Sequence, residues 1–259
     1  MDIDIQFVPS TPHPDLLSDH VVVVIDVLRA TSVIVHAMAQ RASEIIPVTT
    51  IEDALQLAKV FPRSSILLGG ERENKKVPGF DLGNSPREYV LERVRGKKLI
   101  LTTTNGTKAF HLVSSGEEIL VGSFFNIGAV AERCIELGRN LFIFSSGDKG
   151  NFSLEDTLCG GMLIDLITQK EKEKIILTDA SYSAQIIYQR FKDNLVEAFH
   201  LSRHGKELIR LGFEEDLIYC AQIDVTSLVP IYRDGVIRAN LEDERLKAVS
   251  RRQKAVRKK

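Results

Sequence analysis

Residues 21–32 read VVVVIDVLRATS. Five consecutive β-branched residues with no polar alternation predict a strand covered on both faces, the habit of a parallel sheet inside an α/β protein. The run is far too short to cross a membrane. It turns polar at Asp26 and passes into RATSVIVHAMAQRA (29–42), whose apolar positions suit a helix lying on that sheet.

The same alternation continues outward from this unit. EIIPV (44–48) reads as a strand and TTIEDALQLAKVF (49–61) as a helix, with Thr50 as N-cap and Asp53 three residues on. SSILLGGE (64–71) is the next strand. SPREYVLERVRG (85–96) predicts a helix with Ser85 as N-cap and Pro86 at its first position. Three further pairs follow: KKLILTT with GTKAFHLVSS, EEILVGS with NIGAVAERCIELG, and NLFIFSSG with LEDTLCGGMLIDLIT. Six strand–helix units in a row predict a mostly parallel sheet with helices on both faces. After Lys174 the pattern loosens into IILTDA, two helices with a break near His200–Ser202, and a strand or loop segment turning at Asp234–Gly235. With no Gly/Ser/Pro-rich linker, residues 1–240 are expected to form a single α/β domain with a C-terminal α+β elaboration.

Composition narrows the function. The chain of 259 residues is 44% hydrophobic and 27% charged, ordinary for a soluble protein. The N-terminus MDIDIQFVPSTPHP lacks the basic region of a secretory signal. Cys134, Cys159 and Cys220 are odd in number and far apart, which fits a reducing cytoplasm and neither a disulfide framework nor a zinc site. Net charge is −1, but 245–259 holds eight Lys/Arg and no acid, leaving −9 on the body. An acidic body argues against a nucleic-acid-binding face, and the basic segment 241–259 is expected as a frayed, solvated tail.

In open α/β sheets, ligands gather beyond the C-terminal strand ends. There the first unit delivers Asp26, Arg29, Thr31 and Ser32. The third delivers Glu71 and Arg72, then GFDLGNSP with Asp81 and Asn84. The fourth delivers TTTNGT, Thr102 to Thr107, and the sixth Ser145, Ser146, Asp148, Asn151, Glu155 and Asp156. Each has a structural alternative: Asp26 as N-cap, Asp81 and Asn84 as turn residues, Glu155 and Asp156 as acids favoured in a first helical turn. Together, carboxylates, arginines and hydroxyls fit a hard divalent cation beside a phosphate-like anion. The chain has no GxxxxGK[ST], no GxGxxG after its first strand, no GxSxG elbow and no HExxH. Cys159 reads as a small buried hydrophobe, and His204 in LSRHGKEL as an ordinary helix histidine.

The motifs DVLRATS, GGER…GFDLGNSPREY, TTTNGTKA, FSLEDTLCGG, SRHGKELIRLGFEEDLIYCAQID and VPIYRDGVI, in that order, resemble the 2-phosphosulfolactate phosphatase family from Val22 to Ile237. The resemblance implies a three-layer α/β/α fold and a Mg²⁺-dependent phosphatase. Its reaction takes 2-phospho-3-sulfolactate, or a related small phosphorylated hydroxy acid, to the hydroxy acid and inorganic phosphate, a step toward coenzyme M. On this reading Asp26, Glu71 and Asp156 hold Mg²⁺, directly or through water. Arg29, Asn105 and Thr107 hold phosphate oxygens, and Arg72 meets the sulfonate or carboxylate. Thr31, Ser32, Asn84, Thr104 and Gly106 complete the expected substrate-binding set. The enzyme is expected in the cytoplasm, without membrane or nucleic-acid partner, and as a homodimer by default. Two rivals remain open: a phosphometabolite-binding protein without catalysis, and a metal-dependent lyase or isomerase of a sulfonated acid.

Overall fold

The valine run forms a strand over His20–Ile25 whose two faces join different hydrophobic cores. Val21, Val23 and Ile25 point to one side with Ile3, Ile5 and Leu163, while Val22 and Val24 point to the other with Val33, Ala37 and Phe110. Side chains alternate across a strand, so an unbroken apolar run is what burial on both sides demands. These relations come from a computed structural model that describes residues 1–171 and 175–239. The expected tail, 241–259, lies outside the described residues.

Among the described residues the strands are β1 (Asp2–Gln6), β2 (His20–Ile25), β3 (Glu44–Pro47), β4 (Ile66–Arg72), β5 (Lys75–Lys76), β6 (Lys98–Thr102), β7 (Glu118–Gly122), β8 (Asn140–Ser145), β9 (Ile176–Leu177), β10 (Pro230–Arg233) and β11 (Val236–Ala239). They form one sheet in the order β5-β4-β6-β3-β11-β10-β7-β2-β8-β1-β9. β9, β1, β8, β2 and β7 run parallel, as do β3, β6 and β4. The helices are α1 (Pro14–Ser18), α2 (Ala30–Ala39), α3 (Ile51–Ala58), α4 (Leu91–Val94), α5 (Gly106–Leu112), α6 (Ile127–Leu137), α7 (Leu154–Lys170), α8 (Asp179–Phe191), α9 (Leu195–Leu201), α10 (Arg203–Arg210) and α11 (Glu214–Cys220). The α/β class and the mostly parallel sheet are as expected from the sequence. No helix of the described residues is long and apolar enough to cross a membrane.

The C-terminal elaboration reaches the middle of the sheet. β10 and β11 form a hairpin turned at Asp234 and Gly235, both with positive φ (51° and 78°), the conformation an Asp-Gly two-residue turn favours. β10 pairs antiparallel with β7 and β11 antiparallel with β3. The hairpin therefore joins two parallel blocks that do not otherwise touch edge to edge.

Several local expectations needed tertiary context. β1, with its alternating buried Ile3 and Ile5, precedes the first strand read from sequence. The segment after Ser85 is a single 3₁₀ turn, Pro86–Glu88, followed by the short α4, not one helix. Ser85 caps nothing because its hydroxyl donates to Asp216 Oδ1 at 2.7 Å, and the buried Tyr89 ties back to Gly83 O. By contrast, Thr50 does cap α3, accepting from Asp53 N at 3.0 Å.

If the hairpin is part of the sheet's framework, core loss there should be felt globally. Ile237→Ala, at a fully buried position opposite Ile45, is expected to destabilise by about 2–5 kcal/mol. Urea unfolding checks this; a change near zero would show that the two blocks hold without the hairpin.

Candidate active site

The C-terminal ends of β2, β4, β6 and β8 converge on a small, partly open cavity of about 10 Å³, room for roughly one water. Asp26, Arg29, Glu71, Asn84, Thr104, Asn105, Asp148 and His204 are among its lining residues. Asp26, just past β2, is buried, and its Oδ1 accepts from Ala30 N at the start of α2. Thr31 fixes this bend twice over: its hydroxyl donates to Asp26 O at 2.9 Å and accepts from Asp26 N at 3.0 Å. Ser32 does similar work on Val27 O. Behind the carboxylate stands Gly106, where a Cβ would come within 2.6 Å of Asp26 Oδ2 and would meet Ala30 Cβ.

Glu71 is buried at the end of β4. Its two oxygens accept from Thr104 N at 2.7 Å and from Asn74 N at 2.8 Å. The second bond is delivered by a tight turn in which Glu73 and Asn74 both take positive φ. That turn also brings Asn74 Oδ1 to 3.0 Å from His204 Nε2. The other His204 nitrogen lies 3.6 Å from Glu155 Oε1. Burial pulls the His204 pKa down, but the Glu155 carboxylate and the charges of Asp148 and Asp26 more than offset this and raise it.

The threonine comb of residues 102–107 divides its work. Thr102 Oγ1 accepts from Arg72 at 2.9 Å. Thr103 and Thr107 exchange backbone and hydroxyl bonds and close the turn into α5. Thr104 Oγ1 is buried without a partner, as is Asn84 Oδ1 across the cavity. Among the described residues these are the two unsatisfied buried side-chain atoms on residues lining the cavity, and buried polar groups without partners are uncommon.

Two other expected residues, Asp156 and Arg72, stand apart from the cavity. Asp156, in the first turn of α7, accepts from Val27 N at 2.8 Å and Gly147 N at 3.1 Å. It ties together the chain just beyond β2 and β8 and does not line the cavity. Burial raises its pKa well above the usual carboxylate range, with the charges of Asp26 and Glu155 adding to the rise. Burial likewise raises Asp26; Glu71 adds to this, while Ala30 N–H, the Ser146 hydroxyl and His204 oppose it. Among the described residues no group of three or more His, Cys, Asp or Glu side chains is placed to hold a metal ion. Arg29 follows a cis peptide bond, forms a buried ion pair with Asp216 at 2.6 Å and stacks over Phe213. Arg72 lines an adjoining cleft. Cys159 is fully buried, and burial pushes its thiol well up, as suits a packing residue.

Sequence reading passed over Asp216 and Asn74 and gave His204 a structural role. Asp216 lies in a helical turn of acids, EED, with no local sign that one of them reaches Arg29. His204 enters the site only because Gly205, backed against Phe199 O, lets α10 pack closely on the end of α9.

A family model described as 2-phosphosulpholactate phosphatase matches residues 7–235. Similar proteins include one from Caldanaerobacter subterraneus, 40% identical over 225 residues, covering 86% of this chain and 92% of the relative. Another, from Clostridium acetobutylicum, is 40% identical over 238 residues, covering 92% of this chain and all of the relative. Both are named "Probable 2-phosphosulfolactate phosphatase".

Two measurements test this geometry. Asp216→Asn leaves Arg29 charged and buried, so a loss of about 3–5 kcal/mol is expected in urea unfolding; a neutral result would mean that Arg29 needs no counter-charge. The raised His204 pKa makes its contribution to stability complete below its ordinary value and lost as pH rises through the folded value. The melting temperature lost in His204→Gln should therefore shrink as pH rises above about 6.5, the ordinary histidine value. A gap that stays constant would show that folding leaves the His204 pKa unshifted.

Proposed function

The chain belongs to the 2-phosphosulfolactate phosphatase family, and from that footing we propose that it is a Mg²⁺-dependent phosphomonoesterase. Its substrate is 2-phospho-3-sulfolactate or a closely related small phosphorylated hydroxy acid. The observation that carries the reading is the pair of carboxylates, Asp26 and Glu71, sharing a cavity the size of one water with the unpartnered Thr104 hydroxyl and Asn84 amide oxygen.

The donor set suits magnesium. Arg29 is neutralised by Asp216, Asp148 pairs with Arg203, and Lys149 pairs with Glu207. With these pairs set aside, Asp26, Glu71 and Glu73 remain as acids of the lining and His204 as its base, so the remaining balance around the cavity is negative. A substrate bearing phosphate, sulfonate and carboxylate meets that field unfavourably unless a cation lies between. Magnesium commonly uses one or two carboxylates, keeps several waters and takes the rest of its shell from substrate phosphate. Asp26 and Glu71 supply such a pair, and Asp156 supports them from behind. Bound there, the cation supplies positive charge to the phosphoryl oxygens and acidifies water.

The protein's own groups do the rest. Asp26 is the carboxylate placed to accept the proton of the attacking water or to attack phosphorus itself. In the first course water bonds to phosphorus as the ester P–O bond breaks, and the water's proton passes by way of Asp26 to the departing hydroxy acid. In the second the ester P–O bond breaks as an acyl-phosphate forms on Asp26, the departing oxygen takes its proton from water, and a further water cleaves the acyl-phosphate to release phosphate and restore the carboxylate. Thr104 and Asn105 hold phosphoryl oxygens at the cavity mouth, while Asn74, held by Glu71, keeps the His204 ring facing inward.

The test is phosphate release from a panel of small phosphomonoesters with magnesium and with chelator. Release is expected with magnesium, strongest for a 2-phospho acid, and lost on chelation. Asp26→Asn should lower kcat by about 10²–10⁴-fold. Radiolabelled acyl-phosphate trapped on Asp26 would identify direct attack, and its absence in single turnovers would identify water attack. A folded protein that binds but never cleaves these esters would instead be a receptor.

A further inference from the structure

The inner cavity, at about 10 Å³, has no room for the body of an organic phosphate. Two larger clefts adjoin it, and both share Thr104 and Lys108. One, of about 340 Å³, is bounded by Thr49, Thr50, Glu52 and Arg72 as well. The other, of about 390 Å³, is bounded by Pro9, Ala109, Leu112 and Lys149. Only the sizes of these clefts suit a small ligand.

Their charges differ. In the first, Arg72 is half-buried and held rigidly by hydrogen bonds to Glu71 O, Thr49 O and Thr102 Oγ1, at 2.7–3.1 Å. All three acceptors are neutral, and Arg72 has no carboxylate partner among the described residues. Lys108, exposed on α5, has none either. Glu52 is the one acid lining this cleft. In the second cleft Lys149 is already paired with Glu207, and Pro9, Ala109 and Leu112 make part of the lining apolar; Lys108 borders both clefts, so the rigidly held Arg72 is the cation that sets the first apart. A fixed guanidinium whose hydrogen bonds leave its charge uncompensated is an oxyanion receptor.

We propose that Arg72 and Lys108 determine substrate specificity by receiving the second acidic group of the ester, its sulfonate or carboxylate, while the phosphate lies at Thr104. This rests on the phosphatase reading above and adds which cleft takes the non-reacting end. The two residues are positioned to bind that end and take no part in bond breaking.

The experiment compares kcat/KM for 2-phospho-3-sulfolactate with that for p-nitrophenyl phosphate, which has no second acid, using the full chain with magnesium. Arg72→Gln and Lys108→Gln are each expected to lower this ratio about tenfold, through KM of the acid-bearing ester. Arg72→Lys should recover part of the loss. Lys108→Gln alters an exposed side chain and so keeps the test sound if Arg72→Gln disturbs folding. Ratios within about twofold of wild type in folded variants would overturn the proposal. Should the wild type cleave neither ester, the phosphatase reading fails, and calorimetry with 3-sulfolactate decides the subsite alone. Affinity that weakens in Lys108→Gln supports it; equal affinity, or no binding to wild type, overturns it.

Discussion

Six carboxylates, those of Asp26, Glu71, Asp148, Glu155, Asp156 and Asp216, are buried at one end of the sheet. Like charges in a medium of low polarity repel strongly, and each must be met by donors or opposite charge. The architecture around the site is organised by that need. Backbone N–H groups of Val27 and Gly147 meet Asp156, those of Thr104 and Asn74 meet Glu71, and that of Ala30 meets Asp26. His204 stands beside Glu155. Since β2, β4, β6 and β8 each contribute to this end, the parallel sheet is the device that brings so many chain segments to one place.

The central hairpin serves the same end indirectly. Asp26 belongs to the block of β2 and β8, whereas Glu71 and the threonine comb belong to the block of β4 and β6. β10 and β11 set the separation between those blocks. Helices α10 and α11 close the gap above the sheet: His204 from α10 meets Asn74 on one block's turn, and Asp216 from α11 pairs with Arg29 beside the other block's strand. The C-terminal third of the chain thus assembles the site while contributing few of the residues that face its cavity.

Much of this was legible in sequence because burial on both faces leaves a plain mark. VVVVI, KKLILTT and NLFIFSSG read as strands without ambiguity, and the polar residues following them read as a site. What was not legible is long-range. Asp156 and Glu71 are both acids at element ends, yet one supports from behind while the other lines the cavity; only the position of Val27 and Gly147 separates them. Ser85 has every local mark of an N-cap, but Asp216, 131 residues away, takes its hydroxyl. A side chain's partner across the fold is not encoded in its neighbours, so caps and carboxylates are the residues whose roles shift most.

The threonine comb illustrates how function occupies what folding leaves over. A strand ending in three threonines looks like an anion cradle, but most of its hydroxyls are engaged within the protein. Thr102 holds Arg72, while Thr103 and Thr107 close the turn. Those bonds fix the guanidinium and the start of α5, leaving the Thr104 oxygen between the inner cavity and both outer clefts. The comb is therefore less a phosphate receptor than the partition between two kinds of space. A cation-sized, acid-lined cavity lies on one side, and a basic cleft of ligand size on the other. A molecule with a phosphate at one end and a second acid at the other is the shape that such a partition can divide.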